Sequence, residues 1–179
     1  PANWQGHYQS TGPEIWAQTD GKVDAFVSAI GTGGTLSGVG IALKERNKDI
    51  KIALADPFGS AMHTWFQTGE LKSEGSSISE GIGQGRITKN VEGAPIDMSF
   101  QVTDVEMLEE IYGLLLQDGL CVGGSTGINV AGAMKLAREL GPGHTIVTAL
   151  CDSGTRYQSK MFNPDFLTEK GLPVPHWLA

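Results

Sequence analysis

The stretch Val23-Asp24-Ala25-Phe26-Val27-Ser28-Ala29-Ile30 runs without a break into Gly31-Thr32-Gly33-Gly34-Thr35. Leu36, Val39 and Leu43 follow at i, i+3 and i+7, the spacing of a helix face. A buried strand that turns on glycines straight into a helix belongs to α/β folds with a mostly parallel sheet. The remaining chain keeps that alternation. Ile50 to Asp56 reads as a second strand stopped by Pro57, and Asp97 to Val102 as a third. Thr103-Asp104-Val105-Glu106 has the Thr-x-x-Glu form of a capping box. It opens a helix with Val105, Leu108, Tyr112 and Leu115 as its apolar stripe and Gly119 as its stop. Gly123-Gly124-Ser125-Thr126-Gly127 opens another, faced by Ile128, Ala131, Met134 and Leu140 and ended by Gly141-Pro142. Thr145 to Leu150 is a last buried strand, closing on Cys151-Asp152-Ser153-Gly154. Thr11-Gly12-Pro13-Glu14 starts a short helix that runs to about Asp20-Gly21, and Ala61 to Gln67 has room for another.

Glycine is the compositional outlier, 25 of 179 residues, about twice the usual ~7%. With no Gly-X-Y period, the surplus points to tight turns and to backbone that approaches something closely. Gly38 and Gly40 cost their helix roughly 1 kcal/mol each, which predicts close packing against the sheet. Residues 57–95 hold a glycine- and serine-rich connection long enough to be functional. The net charge of −7 argues against a nucleic-acid or anionic-membrane surface. No apolar run approaches the roughly 20 residues of a membrane helix, and no signal-peptide pattern opens the chain. Cys121 and Cys151 have no metal-ligand spacing and fit a reducing compartment.

Three segments carry chemistry. In Gly31 to Thr35, glycines let successive N–H groups face one spot, Thr32 and Thr35 add hydroxyls, and the next helix adds its positive end. That combination holds a phosphate dianion without lysine or arginine; a ligand-free turn is the plain alternative. A dinucleotide fingerprint has glycine at the sixth position, where Leu36 stands, although Asp56 ends the next strand where a ribose-binding acid would sit. Ser153 follows a strand end, as Gly31 does, so both can face one cleft, with the Ser153 hydroxyl on a ring nitrogen or simply capping a turn. Gly81-Ile82-Gly83 lies in a stretch with glycine at every second position, a flap against a flat ligand or a surface loop. The four histidines, His7, His63, His144 and His176, are expected at the surface or in the core rather than on a metal. Ser125 is expected to cap its helix rather than act as a nucleophile, and Trp4, Trp16, Trp65 and Trp177 to serve packing.

Taken in order, Gly31-Thr32-Gly33-Gly34-Thr35, Glu80-Gly81-Ile82-Gly83, Gly124-Ser125-Thr126-Gly127 and Asp152-Ser153-Gly154 resemble cysteine synthase, O-acetylserine sulfhydrylase. This is a family of fold-type II pyridoxal phosphate enzymes, and cystathionine β-synthase is of the same type. Pro1-Ala2-Asn3 and Thr11-Gly12-Pro13-Glu14-Ile15-Trp16 resemble the middle of such an enzyme, so the likeness spans nearly the whole chain. It implies a three-layer sandwich with a mostly parallel sheet, the large domain of that fold type. It implies that Gly31, Thr32, Gly33, Gly34 and Thr35 bind the phosphate of pyridoxal 5′-phosphate. By the same resemblance Ser153 bonds the pyridine nitrogen, and Gly81, Ile82 and Gly83 line the substrate side. The implied reaction is β-replacement, in which O-acetylserine and sulfide give cysteine and acetate. A homodimer, docking of the serine acetyltransferase tail and a cytoplasmic location come with the resemblance.

The family bonds the cofactor through a lysine in its amino-terminal part, and no lysine here has that setting. Lys44, Lys48 and Lys51 surround a helix end, Lys135 lies on a helix, and Lys160 and Lys170 lie in the tail. Residues 1–179 are therefore expected to be the carboxyl-terminal part of such an enzyme, inactive alone, with the amino-terminal part as a possible partner. A cystathionine β-synthase-like enzyme, a nucleotide-binding domain using Gly31 to Gly34 with Asp56, and a non-catalytic fragment remain open.

Overall fold

A computed structural model describes residues 2–178; Pro1, part of the Pro1-Ala2-Asn3 match, lies outside them. Helices α1 (Ala2–Gln9) and α2 (Thr11–Gln18) precede β1 (Ala25–Ser28), α3 (Gly34–Arg46) and β2 (Lys51–Pro57). Then come α4 (Met62–Thr68), β3 (Met98–Val102), α5 (Asp104–Asp118), α6 (Gly124–Leu140) and β4 (Ile146–Thr148). A 3₁₀ turn (Gly154–Tyr157) and α7 (Pro164–Glu169) complete the chain. The four strands form one sheet in the order β3-β2-β1-β4, every pair parallel. Ala25 is in register with Lys51 on one side and Ile146 on the other.

The strands alternate two kinds of side chain. Phe26, Ile52 and Leu54 face Leu36, Val39 and Leu43 of α3, with Met62 of α4 in the same cluster. Ala25, Val27, Ala53 and Ala55 face the other way, toward Met107, Leu108 and Ile111 of α5 and Ile128, Ala131 and Leu136 of α6. The result is the expected three-layer α/β sandwich, with helices on both faces of a parallel sheet. Alanines on the second face let α6 lie close: a Cβ on Gly132 would sit 2.5 Å from that of Ala55.

Several expectations shift in detail. Helix α1, unmarked by any strong pattern, packs across α3, and Gly38 is small for its sake, since a Cβ there would lie 2.2 Å from the Trp4 carbonyl oxygen. Only Gly40 meets the sheet, at Ile52. The buried stripe of α5 is Met107, Leu108, Ile111 and Tyr112, while Val105 is exposed. On α6, Met134 is exposed and Leu136 takes the core position. The Thr103–Glu106 capping box is formed in full, and Gly119 closes α5 in the left-handed region. The four tryptophans are all half-buried, and Trp177 meets Tyr112 edge-on at 5.3 Å. No described helix is long and apolar enough to cross a membrane.

Candidate functional site at the strand fork

In an open parallel sheet, chain reversal in strand order leaves a crevice at the carboxyl ends of the two strands involved. Here the order 3-2-1-4 places that point between β1 and β4. Their pairing stops at Val27 and Thr148. Beyond it one chain becomes Gly31 to Thr35 and the other Cys151 to Ser153. A cleft of about 190 Å³ opens there, lined by Gly31 to Thr35 together with Ile82, Ser125, Asn129 and Cys151. A wider one of about 500 Å³ shares Ile82, Ser125 and Cys151 and adds Gly81, Asp152, Arg156 and Tyr157.

The N–H groups of Gly31 to Thr35 have no hydrogen-bond acceptor among the described residues. Those at the start of α3 point out of the helix end, where partial positive charge gathers. These free donors at a cleft are what a phosphate dianion requires, so the residues present fit one. The loop is held from outside the cleft. Gly33 caps α3 with φ +85°, and a Cβ there would meet Val91 Cγ2 at 2.3 Å. Gly34 leaves space for the Asn3 side chain, whose Oδ1 accepts the Thr32 hydroxyl at 2.9 Å. His7 bridges Thr11 Oγ1 at 3.0 Å and Thr35 Oγ1 at 3.1 Å. The Thr32 carbonyl accepts from Thr88 Oγ1 (2.7 Å) and Asn90 Nδ2 (3.1 Å).

The 79–85 stretch comes to the same place. The Gly83 N–H donates to the Ile30 carbonyl at 3.0 Å, and a Cβ on Gly31 would touch the Gly81 carbonyl oxygen at 2.8 Å. Glu80, which lines the wider cleft, pairs with Lys160. Thus Ile82, some fifty residues on, lines the cleft with Gly31 to Thr35; Gly81 lines only the wider one, and Gly83 lines neither, facing Pro57 and Ser60 instead.

Ser153 is placed differently. Its Oγ accepts the Thr155 N–H at 3.3 Å and caps the 3₁₀ turn, and its exposed side chain lines neither cleft, whereas Cys151 and Asp152 do. Asp152 Oδ2 accepts the Tyr157 hydroxyl at 2.7 Å. That bond, with burial, raises the Tyr157 phenol above its ordinary range. Both cysteines are free thiols and exposed. Ser125 does not cap α6: Gly123 occupies the cap, and Ser125 in the first turn lines both clefts.

Asp56 cannot serve as a ribose ligand. It is fully buried, and its Oδ2 accepts the His63 N–H at 2.8 Å at the start of α4. Burial pushes its carboxyl up to about 6, against the lowering effect of the His63 N–H. The nucleotide-binding reading loses its acid.

Sequence reasoning missed Asn3, His7 and Asn129 as parts of this region. The first two sit on a helix with no readable pattern. Asn129 carried a signal, a polar residue inside the apolar stripe of α6 between Ile128 and Ala131.

Comparison with known proteins gives the chain's family. A family-wide sequence model described as "Pyridoxal-phosphate dependent enzyme" matches residues 1–152. The chain is 44% identical to Cysteine synthase 2 of Schizosaccharomyces pombe, over 96% of this chain and 47% of that protein. It is 46% identical to Cysteine synthase 1 of Emericella nidulans, over 96% and 48% respectively, and 38% identical to Cysteine synthase A of Salmonella typhi, over 96% and 54%. The crystal structure of an O-acetylserine dependent cystathionine beta-synthase from Helicobacter pylori superposes with a TM-score of 0.80 at 32% identity, covering 88% of this chain and 49% of that one. The chain spans about half the length of the curated relatives it matches. Sheet order, glycine cradle and these likenesses converge: the chain belongs to the pyridoxal-phosphate dependent enzyme family.

Proposed function

We propose that the chain is the large-domain half of a pyridoxal phosphate-dependent cysteine synthase, which turns O-acetylserine and sulfide into cysteine and acetate. The observation that carries this reading is the set of N–H groups at Gly31 to Thr35 without acceptors among the described residues, at the switch point of the sheet. Gly31, Thr32, Gly33, Gly34 and Thr35 would hold the cofactor phosphate with backbone donors and the α3 end. Ile82 and the backbone of Gly81 and Gly83 would wall the reactive side, limiting water. Ser153 would bond the ring nitrogen, its hydroxyl turning from Thr155 to do so. When bound, the cofactor supplies the electron sink that lets a β-substituent leave and another add.

The covalent lysine would come from outside this chain. The chain spans about half the length of its relatives, which supports that. The homodimer, the serine acetyltransferase tail and the cytoplasmic setting belong to the same reading.

O-acetylserine as first substrate is supported by the O-acetylserine dependent enzyme of Helicobacter pylori, and cysteine as product by the relatives named cysteine synthase; sulfide as second substrate follows from the family resemblance alone. Titration of the holoenzyme's apo form with pyridoxal phosphate and with NAD tests the cofactor. Saturable pyridoxal phosphate binding without NAD binding is expected, and tight NAD binding in its place would overturn the proposal. Supplying O-acetylserine with sulfide, or with a larger thiol, separates cysteine formation from thioether formation.

A further inference from the structure

A side chain takes the place of a strand where β1 and β4 part. Asn129, in the second turn of α6, is 0% exposed. Its Oδ1 accepts the Ala29 N–H at 2.7 Å, and its Nδ2 donates to the Ala149 carbonyl at 2.8 Å. A primary amide offers the same donor and acceptor as a peptide group, so it bridges the fork as a strand would. Only one orientation of the amide meets both partners. One turn earlier, buried Thr126 accepts the Cys151 N–H on Oγ1 at 3.0 Å. Ala29 stands two residues before Gly31, and Ala149 two before Cys151. The first turns of α6 thus hold both lips of the cleft.

A buried amide is costly unless fully paired. An apolar residue here would strand the Ala29 N–H, leave the Ala149 carbonyl only the weak Cys151 thiol donor at 3.7 Å and remove the Asn129 Nδ2 contact to Cys151 Sγ at 3.5 Å, so the amide is tied to this fork and not to general packing. We propose that Asn129 is a positioning residue that sets the separation of the two lips, and through it the fit of the phosphate-bearing cofactor. The cofactor part rests on the function proposed above; the geometric part does not.

The test compares Asn129→Ala and Asn129→Thr with Leu136→Ala in the holoenzyme. Leu136 is fully buried on the same helix, two turns from the fork, and controls for lost stability. A threonine hydroxyl reaches one lip at most and keeps more volume, so this variant carries the test should the alanine variant fail to fold. The readouts are the pyridoxal phosphate dissociation constant, the ³¹P chemical shift of the bound cofactor and the thermal midpoint. A fourth is the modification rate of the Cys151 thiol in a Cys121→Ser background. Both Asn129 variants are expected to weaken cofactor binding at least tenfold and to move the ³¹P signal. Cys151 modification should be severalfold faster. Leu136→Ala should lower the midpoint while leaving the other three readouts within twofold. Wild-type affinity and ³¹P shift in a folded Asn129 variant would overturn the proposal. Failure of the wild-type protein to bind pyridoxal phosphate would sink the proposed function instead. Because Asn129 also touches the Cys151 thiol directly, the amide-exchange rate of Gly83, whose N–H is bonded to the Ile30 carbonyl beside the first lip, would then decide the geometric part, and an unchanged rate in the Asn129 variants would reject it.

Discussion

Two glycine turns lead into helices in this chain, and they do different work. Gly31-Thr32-Gly33-Gly34-Thr35 leaves its N–H groups without acceptors among the described residues. In Gly123-Gly124-Ser125-Thr126-Gly127 the cap N–H is taken, Gly123 donating to the Asp152 carbonyl at 3.0 Å; Thr126 donates back to Gly123 at 3.1 Å, Gly127 makes the helical bond to Gly123 (3.3 Å) that Ser37 makes to Gly33, and only Gly124 and Ser125 keep N–H groups without acceptors among the described residues. Its glycines admit neighbouring chain, since a Cβ on Gly124 would lie 2.4 Å from Met161 Cε and one on Gly127 2.5 Å from the Met107 carbonyl oxygen. The first turn keeps donors for a ligand; the second docks α6 against α5 and the tail. Glycine content alone does not distinguish a cradle from a docking surface. What distinguishes them is which N–H groups remain unpaired.

The sharpest test of the contrast lies in the docking turn. Gly127→Val pushes a branched side chain into the Met107 backbone, which cannot yield. A loss of about 3 kcal/mol or more is expected, read as a lowered denaturation midpoint, with cofactor affinity falling only as the fold is lost. Gly33→Ala should cost less stability, about 2 kcal/mol, from the positive φ and the Val91 contact. Its cofactor affinity should nevertheless fall at least tenfold. Adding Val91→Ala should recover part of the stability and leave the φ cost in place. If Gly33→Ala loses stability but binds pyridoxal phosphate like wild type, the two turns are alike and the contrast is wrong. The smallest effect is expected at Ser153, which is bridged to Val122 just ahead of the docking turn. Ser153→Ala removes the 3₁₀ cap, worth about 0.5–1 kcal/mol, and should alter the cofactor's absorption spectrum; an unchanged spectrum would confine Ser153 to capping.

Much of the fold was legible because its signals are local. The apolar runs of β1, β2 and β3, the Thr103–Glu106 box and the stops at Gly119 and Gly141 all act over a few residues. The errors arose where a distant partner decides. Val105 and Met134 satisfy helical spacing, yet they stay exposed, 40% and 44%, because the core meets the neighbouring positions Met107 and Leu136 instead. Gly38 was expected on the sheet, but α1 occupies that side. Ser125 has the composition of a cap, yet Gly123 precedes it in the cap geometry and frees the serine toward the cleft.

Local patterns in the chain suffice for the alternation of strands and helices, hence a parallel α/β sandwich, and for a glycine loop able to take a phosphate. Those follow from periodicity, capping and backbone freedom, which are properties of short stretches. Tertiary structure alone decided the strand order that opens the cleft between β1 and β4. It also brought Gly81 to Gly83 against Gly31, buried Asp56 away from any ligand and set the Asn129 amide across the fork. Each of these joins residues far apart in the chain, so each is fixed by packing and hydrogen-bond pairing that no local pattern encodes.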